Sequence, residues 1–234
     1  MLMSPQNLPE HVHDVRRRIE SAARTAGRNV DSITLLAVTK GQSANVVRAG
    51  AGAGLRDFGE SYVQEALDKI AALRDLSLTW HFIGRLQANK TRAVATDFDW
   101  VHGLERLRIA ERLSEHRPFH APPLNVCLQV NLAGEASKAG VPPAELPALA
   151  AAVSALPRLK LRGLMCLPPA EETLDRQRAW FAKLRLALES LNAAGAALDT
   201  LSMGMSGDYE AAILEGATIV RVGTALFGPR PAAR

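Results

Sequence analysis

A lysine stands at the end of an apolar run near the start of the sequence. Residues 33–41 read ITLLAVTKG, so Lys40 directly follows a stretch typical of a strand buried on both faces. A strand-end lysine commonly extends its ammonium group into water. If the surroundings remove that water, the pKa of the amine falls, and the neutral amine can attack a carbonyl carbon to form a Schiff base. The run itself leaves both roles open for Lys40.

Two loops near the end of the sequence combine glycine with hydroxyl side chains. The first, SMGMSGD at 202–208, precedes a helical pattern, and the second contains Gly223 and Thr224. Such loops can present backbone N–H groups and hydroxyls to an anion. Taken alone, the first loop is better explained as a flexible turn in which Ser206 or Asp208 caps the helix. The same chemistry recurs one unit later at Gly223 and Thr224, which favours a phosphate site made of these two loops.

An arginine interrupts the last apolar run. Arg221 lies between Val220 and Val222, in a stretch that predicts a strand. If both valines face the helices of the fold, Arg221 points to the opposite side, where a buried guanidinium group requires a partner. That partner is either a structural ion pair or a ligand atom. With Lys40 and the phosphate loops, the second possibility suits a phosphorylated aldehyde cofactor.

Other kinds of site are disfavoured by their motifs. The GAGAG run at 50–54 does not match GxGxxG, and it precedes a strand where a dinucleotide fingerprint follows one. GxxxxGK[ST] and GxSxG are absent, the six histidines lack metal-ligand spacing, and Glu60 and Glu65 form no acid–base pair with another strand-end carboxylate. Basic residues are dispersed and aromatic residues make up 5%, so no nucleic-acid interface is expected.

The remaining sequence predicts the elements that would position these residues. After a first helix at 8–27, apolar runs typical of strands alternate with runs typical of helices. The strands are expected at 33–38, 56–58, 80–83, 99–101, 124–130, 161–165, 198–201 and 218–222. The intervening helices are expected at 43–52, 61–74, 87–95, 105–116, 144–155, 171–193 and 208–215. This alternation predicts an α/β fold, a (β/α)8 TIM-type barrel with an extra N-terminal helix. A doubly wound sheet is the alternative, because periodicity does not reveal closure.

Composition bears on organisation and location. The 234 residues, 47% of them hydrophobic, contain no linker rich in Pro, Gly or Ser and predict a single domain over 1–234. Cys127 and Cys166 fall in expected strands, as buried apolar residues rather than a disulfide. The N-terminus lacks the pattern of a signal peptide, and no segment has the length and apolarity of a membrane span, so a cytoplasmic protein is expected.

Several stretches, in order along nearly the whole chain, resemble the pyridoxal phosphate homeostasis proteins, also called YggS-like or PROSC-like proteins. They are LLAVTK (35–40), FGESYVQEA (58–66), WHFIGRLQANK (80–90), QVNLAGEASKAG (129–140), GLMCLPP (163–169), LSMGMSGDYEAAI (201–213) and VRVGTALFG (220–228). The resemblance implies the fold-type III architecture, similar to the barrel of alanine racemase, with pyridoxal 5′-phosphate (PLP) as cofactor. It further implies a monomeric carrier that keeps free PLP low and passes it to PLP-dependent apoenzymes, without established turnover.

The resemblance also implies roles for individual residues. Lys40 corresponds to the Schiff-base lysine, and Ser206, with the backbone of Gly223 and Thr224, corresponds to the phosphate cradle. Arg221 corresponds to the arginine that faces the pyridine nitrogen. An arginine there, unlike a carboxylate, does not favour a protonated ring nitrogen, so the cofactor is a weaker electron sink.

Two further positions are less closely tied to the site. Lys138 matches a second family lysine implicated in cofactor handling, and its alternative role is that of an exposed loop lysine. Ser61 departs from the family, which usually has asparagine there and so reads FGEN instead of FGES. Serine is shorter and offers a single hydroxyl in place of an amide, so Ser61 is not expected to be a site residue.

Two alternative functions remain open. A PLP-dependent amino-acid racemase is compatible with a racemase-like barrel, but alanine racemases add a β-rich domain that brings a catalytic tyrosine across a dimer interface. This chain is expected to have no room for that domain, and Tyr62 and Tyr209 fall in expected helices. A phosphate-sugar-binding barrel without a cofactor is the other alternative, because a fold does not specify a function.

Overall fold

Eight parallel strands close into a barrel. The structure is a computed structural model, and it describes residues 7–134 and 139–229. Neighbouring strands pair in sequence order, and β8 (Ile219–Val222) pairs in parallel with β1 (Thr34–Val38), which closes the sheet. The predicted (β/α)8 barrel is therefore confirmed. The doubly wound alternative is wrong, because an open sheet would not pair its first strand with its last.

Strands and helices alternate along the chain. Between β1 and β8, the other strands are β2 (Asp57–Glu60), β3 (Thr79–Phe82), β4 (Trp100–Leu104), β5 (Leu124–Gln129), β6 (Leu159–Met165) and β7 (Thr200–Ser202). The helices are α1 (Leu8–Thr25), α2 (Ala44–Gly52), α3 (Val63–Ala72), α4 (Thr91–Asp97), α5 (Leu107–His116), α6 (Leu146–Ser154), α7 (Leu174–Ala193), α8 (Tyr209–Leu214) and α9 (Thr224–Phe227). Within the described residues, 3₁₀ turns cover Val30–Ser32 and Ala88–Lys90.

All the expected strands and helices are present, and the differences lie at their ends. Helix α9 was not expected, because four residues are too few to show a helical period. Tyr62 stands just before α3 and not inside it, and Cys166 follows β6 and does not lie within it. Element ends depend on local capping and hydrogen bonds, which leave a weaker trace in sequence than apolar periodicity does.

The extra N-terminal helix covers the part of the barrel around α8 and α9. Its buried face includes Val12, Val15 and Ile19, and it packs mainly on those two helices. The Arg18 guanidinium donates two hydrogen bonds to the Glu210 carboxylate of α8, at 2.9 and 3.0 Å. Helix α1 thus supports the last βα units from outside. No helix among the described residues is long and apolar enough to cross a membrane.

The barrel interior contains polar side chains. Val220 and Val222 join the apolar layer between strands and helices, so Arg221 points inward, as its flanking valines predict. His102 of β4 contacts Ser202 of β7, and because these strands are not neighbours, both side chains must meet across the interior. Barrel interiors are usually filled by branched apolar residues. The polar side chains inside this barrel therefore depart from the usual pattern.

Candidate functional site

A cavity opens where the carboxyl ends of β1 and β8 meet. Its volume is about 250 Å³, and its lining includes Lys40, Ser206, Arg221, Gly223 and Thr224. These residues are far apart in sequence, and closure of the barrel brings them together. The five residues expected to form one site thus line one cavity. Lys138, which only the family resemblance suggested as a secondary residue, lies outside the described residues.

The cavity walls are largely apolar. Ile83, Met165, Leu167, Met205 and Phe227 line it beside the polar groups. Flat rings bind well between such side chains, while a few polar groups set the orientation. Sequence reasoning did not identify these wall residues. Ile83, Met165 and Leu167 lie at or just after strand ends, but that position does not distinguish a wall residue from a core residue. Met205 and Phe227 lie further from the strands and left no such signal.

The main chain around Lys40 is held on both sides by hydrogen bonds to side chains of β2 and α3. On one side, the Thr39 hydroxyl donates to Glu60 Oε1 at 2.6 Å, and the Thr39 carbonyl accepts from Lys69 Nζ at 2.7 Å. On the other side, the Gly41 N–H donates to Glu65 Oε1 at 2.6 Å. These three hydrogen bonds restrict the backbone that carries Lys40, so the lysine side chain starts from a fixed position.

Lys69 of α3 connects these anchors. Its ammonium group lies 2.7 Å from Glu60 Oε1 and 2.6 Å from Glu65 Oε1, and the residue is 4% exposed. Burial raises the pKa of Glu60, although Lys69 and Thr39 act in the opposite direction. Glu60 and Glu65 are thus structural supports for the strand end. Lys69 itself was missed, and the available signal was its position one helical turn after Glu65 on the side that carries buried Ala66.

The two glycine-containing loops meet at Ser206. Its Oγ accepts hydrogen bonds from the N–H groups of Gly223 (3.3 Å) and Ala225 (3.2 Å). The loop before it turns at Gly204, where φ is +90° and a Cβ atom would lie 2.6 Å from that of Ala212. Only glycine fits such a turn. Hydroxyl and backbone N–H donors therefore converge at one end of the cavity, which is a suitable arrangement for a phosphate group.

Arg221 forms the inner wall of the cavity. Its Nη1 donates to Ser202 Oγ at 2.8 Å, and its Nη2 donates to the Cys166 carbonyl at 2.9 Å. Burial lowers the pKa of Arg221, and the nearby Cys166 and Asp208 counteract part of that effect. Both acceptors are neutral, so the guanidinium has no carboxylate in direct contact among the described residues. Among the described residues, Arg221 is thus held by neutral acceptors and not by a structural ion pair, one of the two roles open from sequence.

Ser61 and the two tyrosines lie apart from this cavity. None of the three is among the residues that line it. Ser61 follows β2, and its carbonyl closely approaches Gly84, where a Cβ atom would lie 2.3 Å away. Tyr62 is 59% exposed and Tyr209 is buried beneath α1. No phenol group of the described residues is thus placed to exchange a proton inside the cavity.

Comparison with known proteins assigns the family. The alanine racemase N-terminal domain model matches residues 11–231. The pyridoxal phosphate homeostasis protein of Pseudomonas aeruginosa is 58% identical over 95% of this chain and 96% of its own length. The protein of that name from Escherichia coli K12 is 49% identical over 96% and 97%.

Solved structures agree with this assignment. PipY of Synechococcus elongatus, solved with PLP bound, is 38% identical, with a TM-score of 0.83 over 94% of this chain and all of its own. An alanine racemase of Clostridium difficile is 15% identical, with a TM-score of 0.75 over 97% of this chain and 58% of its own, and shares the fold alone. The chain belongs to the family of pyridoxal phosphate homeostasis proteins.

Proposed function

We propose that the protein binds PLP in the cavity at the ends of β1 and β8 and takes part in PLP homeostasis as a carrier. The observation that carries this proposal is the convergence of an amine, a hydroxyl and N–H cradle and a guanidinium in one cavity. The described lining contains two cationic side chains and no carboxylate. Such a lining favours a phosphorylated ligand over a cationic one.

Each polar group of the cavity suits one part of PLP. When bound, PLP supplies an aldehyde, which Lys40 Nζ would hold as a Schiff base with release of one water molecule. Ser206 and the backbone N–H groups of Gly223 and Thr224 would hold the phosphate, and Arg221 would face the pyridine nitrogen. The apolar walls would flank the ring and keep water from it. Lys138 remains a candidate for a secondary role in cofactor handling.

Arg221 favours a protein that holds the cofactor over an enzyme that turns over a substrate. A guanidinium group beside the pyridine nitrogen disfavours protonation there, which weakens the ring as an electron sink. The curated relatives are named homeostasis proteins. We propose a cytoplasmic monomer in which 1–234 acts as one domain and PLP passes to apoenzymes. No specific observation favours a racemase.

The absorbance spectrum of the protein with PLP tests the proposal. We expect a visible band that is abolished in Lys40→Ala, because without the amine no Schiff base forms. Lys160→Ala is the matched control, since Lys160 is an exposed lysine on β6, and it should keep the band. A colourless wild type that takes up no PLP would contradict the proposal and favour a phosphate-sugar-binding barrel. A band that survives unchanged in Lys40→Ala would contradict the lysine assignment.

Turnover is tested on the same samples with single amino acids in heavy water. We expect the α-proton to exchange no faster with wild type than with Lys40→Ala, as shown by mass spectrometry and chiral chromatography. Exchange that depends on Lys40 would instead establish a PLP-dependent enzyme, such as a racemase.

A further inference from the structure

A row of hydrogen-bonded side chains crosses the barrel interior and ends at Arg221. Arg221 Nη1 donates to Ser202 Oγ (2.8 Å), and Ser202 Oγ lies 2.7 Å from His102 Nδ1. His102 Nε2 lies 2.9 Å from His81 Nδ1, and His81 Nε2 lies 3.2 Å from Asp57 Oδ1. These five residues belong to five strands, and the row runs from the amino end of β2 to the wall of the cavity.

The middle of the row is sealed from water. His81, His102 and Ser202 are each at most 1% exposed, whereas the Asp57 side chain is 29% exposed. The Trp100 ring stacks on His81, with centroids 5.5 Å apart and planes 7° from parallel. Because water cannot substitute for a missing partner there, each buried donor must meet an acceptor within the row.

The two ends of the row determine the direction of its hydrogen bonds. A guanidinium group only donates, and a carboxylate only accepts. Ser202 Oγ accepts from Arg221, so its own hydrogen is available to donate to His102 Nδ1. No other acceptor for that hydrogen is found among the described residues.

The direction of the hydrogen bonds continues through both histidines. Burial, with His81 and Arg221 nearby, holds the pKa of His102 well below its ordinary value, so the ring is neutral and carries its one proton on Nε2. That proton is donated to His81 Nδ1. Because His81 Nδ1 accepts this hydrogen bond, the N–H of the His81 ring lies at Nε2 and is donated to Asp57. Every group in the row is satisfied in this arrangement alone.

We propose that His102 and His81 are positioning residues for Arg221. With both protons on Nε2, they complete a one-way series of hydrogen bonds from Arg221 to Asp57, and this series holds the guanidinium against the wall of the cofactor cavity. The role of Arg221 toward a ligand rests on the proposed function, whereas the hydrogen-bond row does not. The row also explains why the barrel interior is polar.

The tautomers are tested first, on the wild-type protein without added PLP. With ¹⁵N-labelled histidine, long-range proton–nitrogen spectra at neutral pH should show, for both His81 and His102, a protonated Nε2 and an unprotonated Nδ1. A proton on Nδ1 of either ring would overturn the proposed direction of the row. This measurement needs no variant that could fail to fold.

The positioning of Arg221 is tested with a matched pair of variants. The variants are His102→Leu and His102→Asn. Leucine and asparagine have similar shapes, but only asparagine offers an oxygen that can accept a hydrogen bond from the Ser202 hydroxyl. In wild type and His102→Asn, the two terminal nitrogens of Arg221 should give separate signals, because the group is held. In His102→Leu these signals should merge. Cys127→Ala is the control, since Cys127 is a buried β5 residue outside the row, and it should behave as wild type.

PLP binding supplies the functional measurement. We expect the Kd for PLP to rise roughly tenfold in His102→Leu and to return to within about threefold of wild type in His102→Asn. Unchanged signals and affinity in a folded His102→Leu would overturn the positioning role. If His102→Leu does not fold, Ser202→Ala, which removes one hydroxyl, must show the merged Arg221 signals. A wild type that binds no PLP would overturn the proposed function. The spectra of the unliganded protein would still show whether the hydrogen bonds run from Arg221 to Asp57.

Discussion

Three residues hold the end of β1 that carries Lys40. Lys69 and Glu65 bind the backbone before and after the lysine, Glu60 binds the Thr39 hydroxyl and Lys69, and none of the three is among the residues that line the cavity. A reactive group is more accurately placed when a rigid element and a bonded supporting layer carry it. Glu60, Glu65 and Lys69 therefore act on the site by fixing the position of Lys40.

Lys69 is the residue whose loss should disturb this support most. In Lys69→Met, Glu60 and Glu65 lose their shared cation, and removing one partner of a buried ion pair is strongly destabilising. We expect the free energy of unfolding to fall by about 3 kcal/mol, measured by urea denaturation, and PLP to dissociate faster.

Lys183→Met provides the comparison, because Lys183 is an exposed lysine on α7. That substitution removes only an exposed cation–π contact with the Trp180 ring, so it should change stability by less than about 1 kcal/mol. Equal stability of the two variants would show that the cluster does not support the strand end.

At the scale of elements, the turn between β7 and α8 shapes the phosphate end of the cavity. Gly204 adopts φ of +90° with Tyr209 and Ala212 packed against it, whereas Gly207, three residues later, faces open space. The first glycine is thus required by geometry, and the second is not.

Gly204→Ala and Gly207→Ala form a matched test of that turn. An added methyl group at Gly204 must displace Ala212 and the Tyr209 backbone, and the left-handed φ adds strain. We expect a loss of about 2 kcal/mol in unfolding free energy and weaker PLP binding, measured by denaturation and titration. Gly207→Ala should leave the free energy of unfolding nearly unchanged, because nothing lies within contact distance of the added methyl group. If the two variants behave alike, the turn does not control the site.

For the whole molecule, closure of the barrel buries both thiols. Desolvation raises the pKa of Cys127 and of Cys166 to about 12 in the folded protein, against about 8.5 in an unfolded chain. The unfolded chain therefore releases thiol protons at a lower pH than the folded protein does. By linkage, the thiols stabilise the fold fully below about pH 8.5, and this contribution is lost as the pH rises towards 12.

Denaturation at two pH values measures this effect. Between pH 7.5 and 10, under reducing conditions, the wild type should lose about 2 kcal/mol per thiol more than the double variant Cys127→Ala/Cys166→Ala. Other groups titrate alike in both proteins, so the difference reports the thiols. An equal loss would show that the thiols reach water before global unfolding.

The sequence alone predicted most of the fold and the polar groups of the cavity. Apolar periodicity located every strand, and the position of Lys40, Arg221 and Gly223 directly after or within strands was enough to predict that they would meet. Helix α9, Lys69 and the apolar walls were missed, because a four-residue helix has no period and a buried lysine resembles an exposed one in sequence.

Residue types and local periods determined which elements form and which chemical groups stand at their ends, because both depend on near neighbours along the chain. The tertiary structure decided which of those groups come into contact. The packing of α3 brought Lys69 to Glu60, and closure placed β8 beside β1 and aligned Asp57, His81, His102 and Ser202 behind Arg221. Such contacts join side chains from separate strands across a sealed interior, and no pattern along a single strand records them.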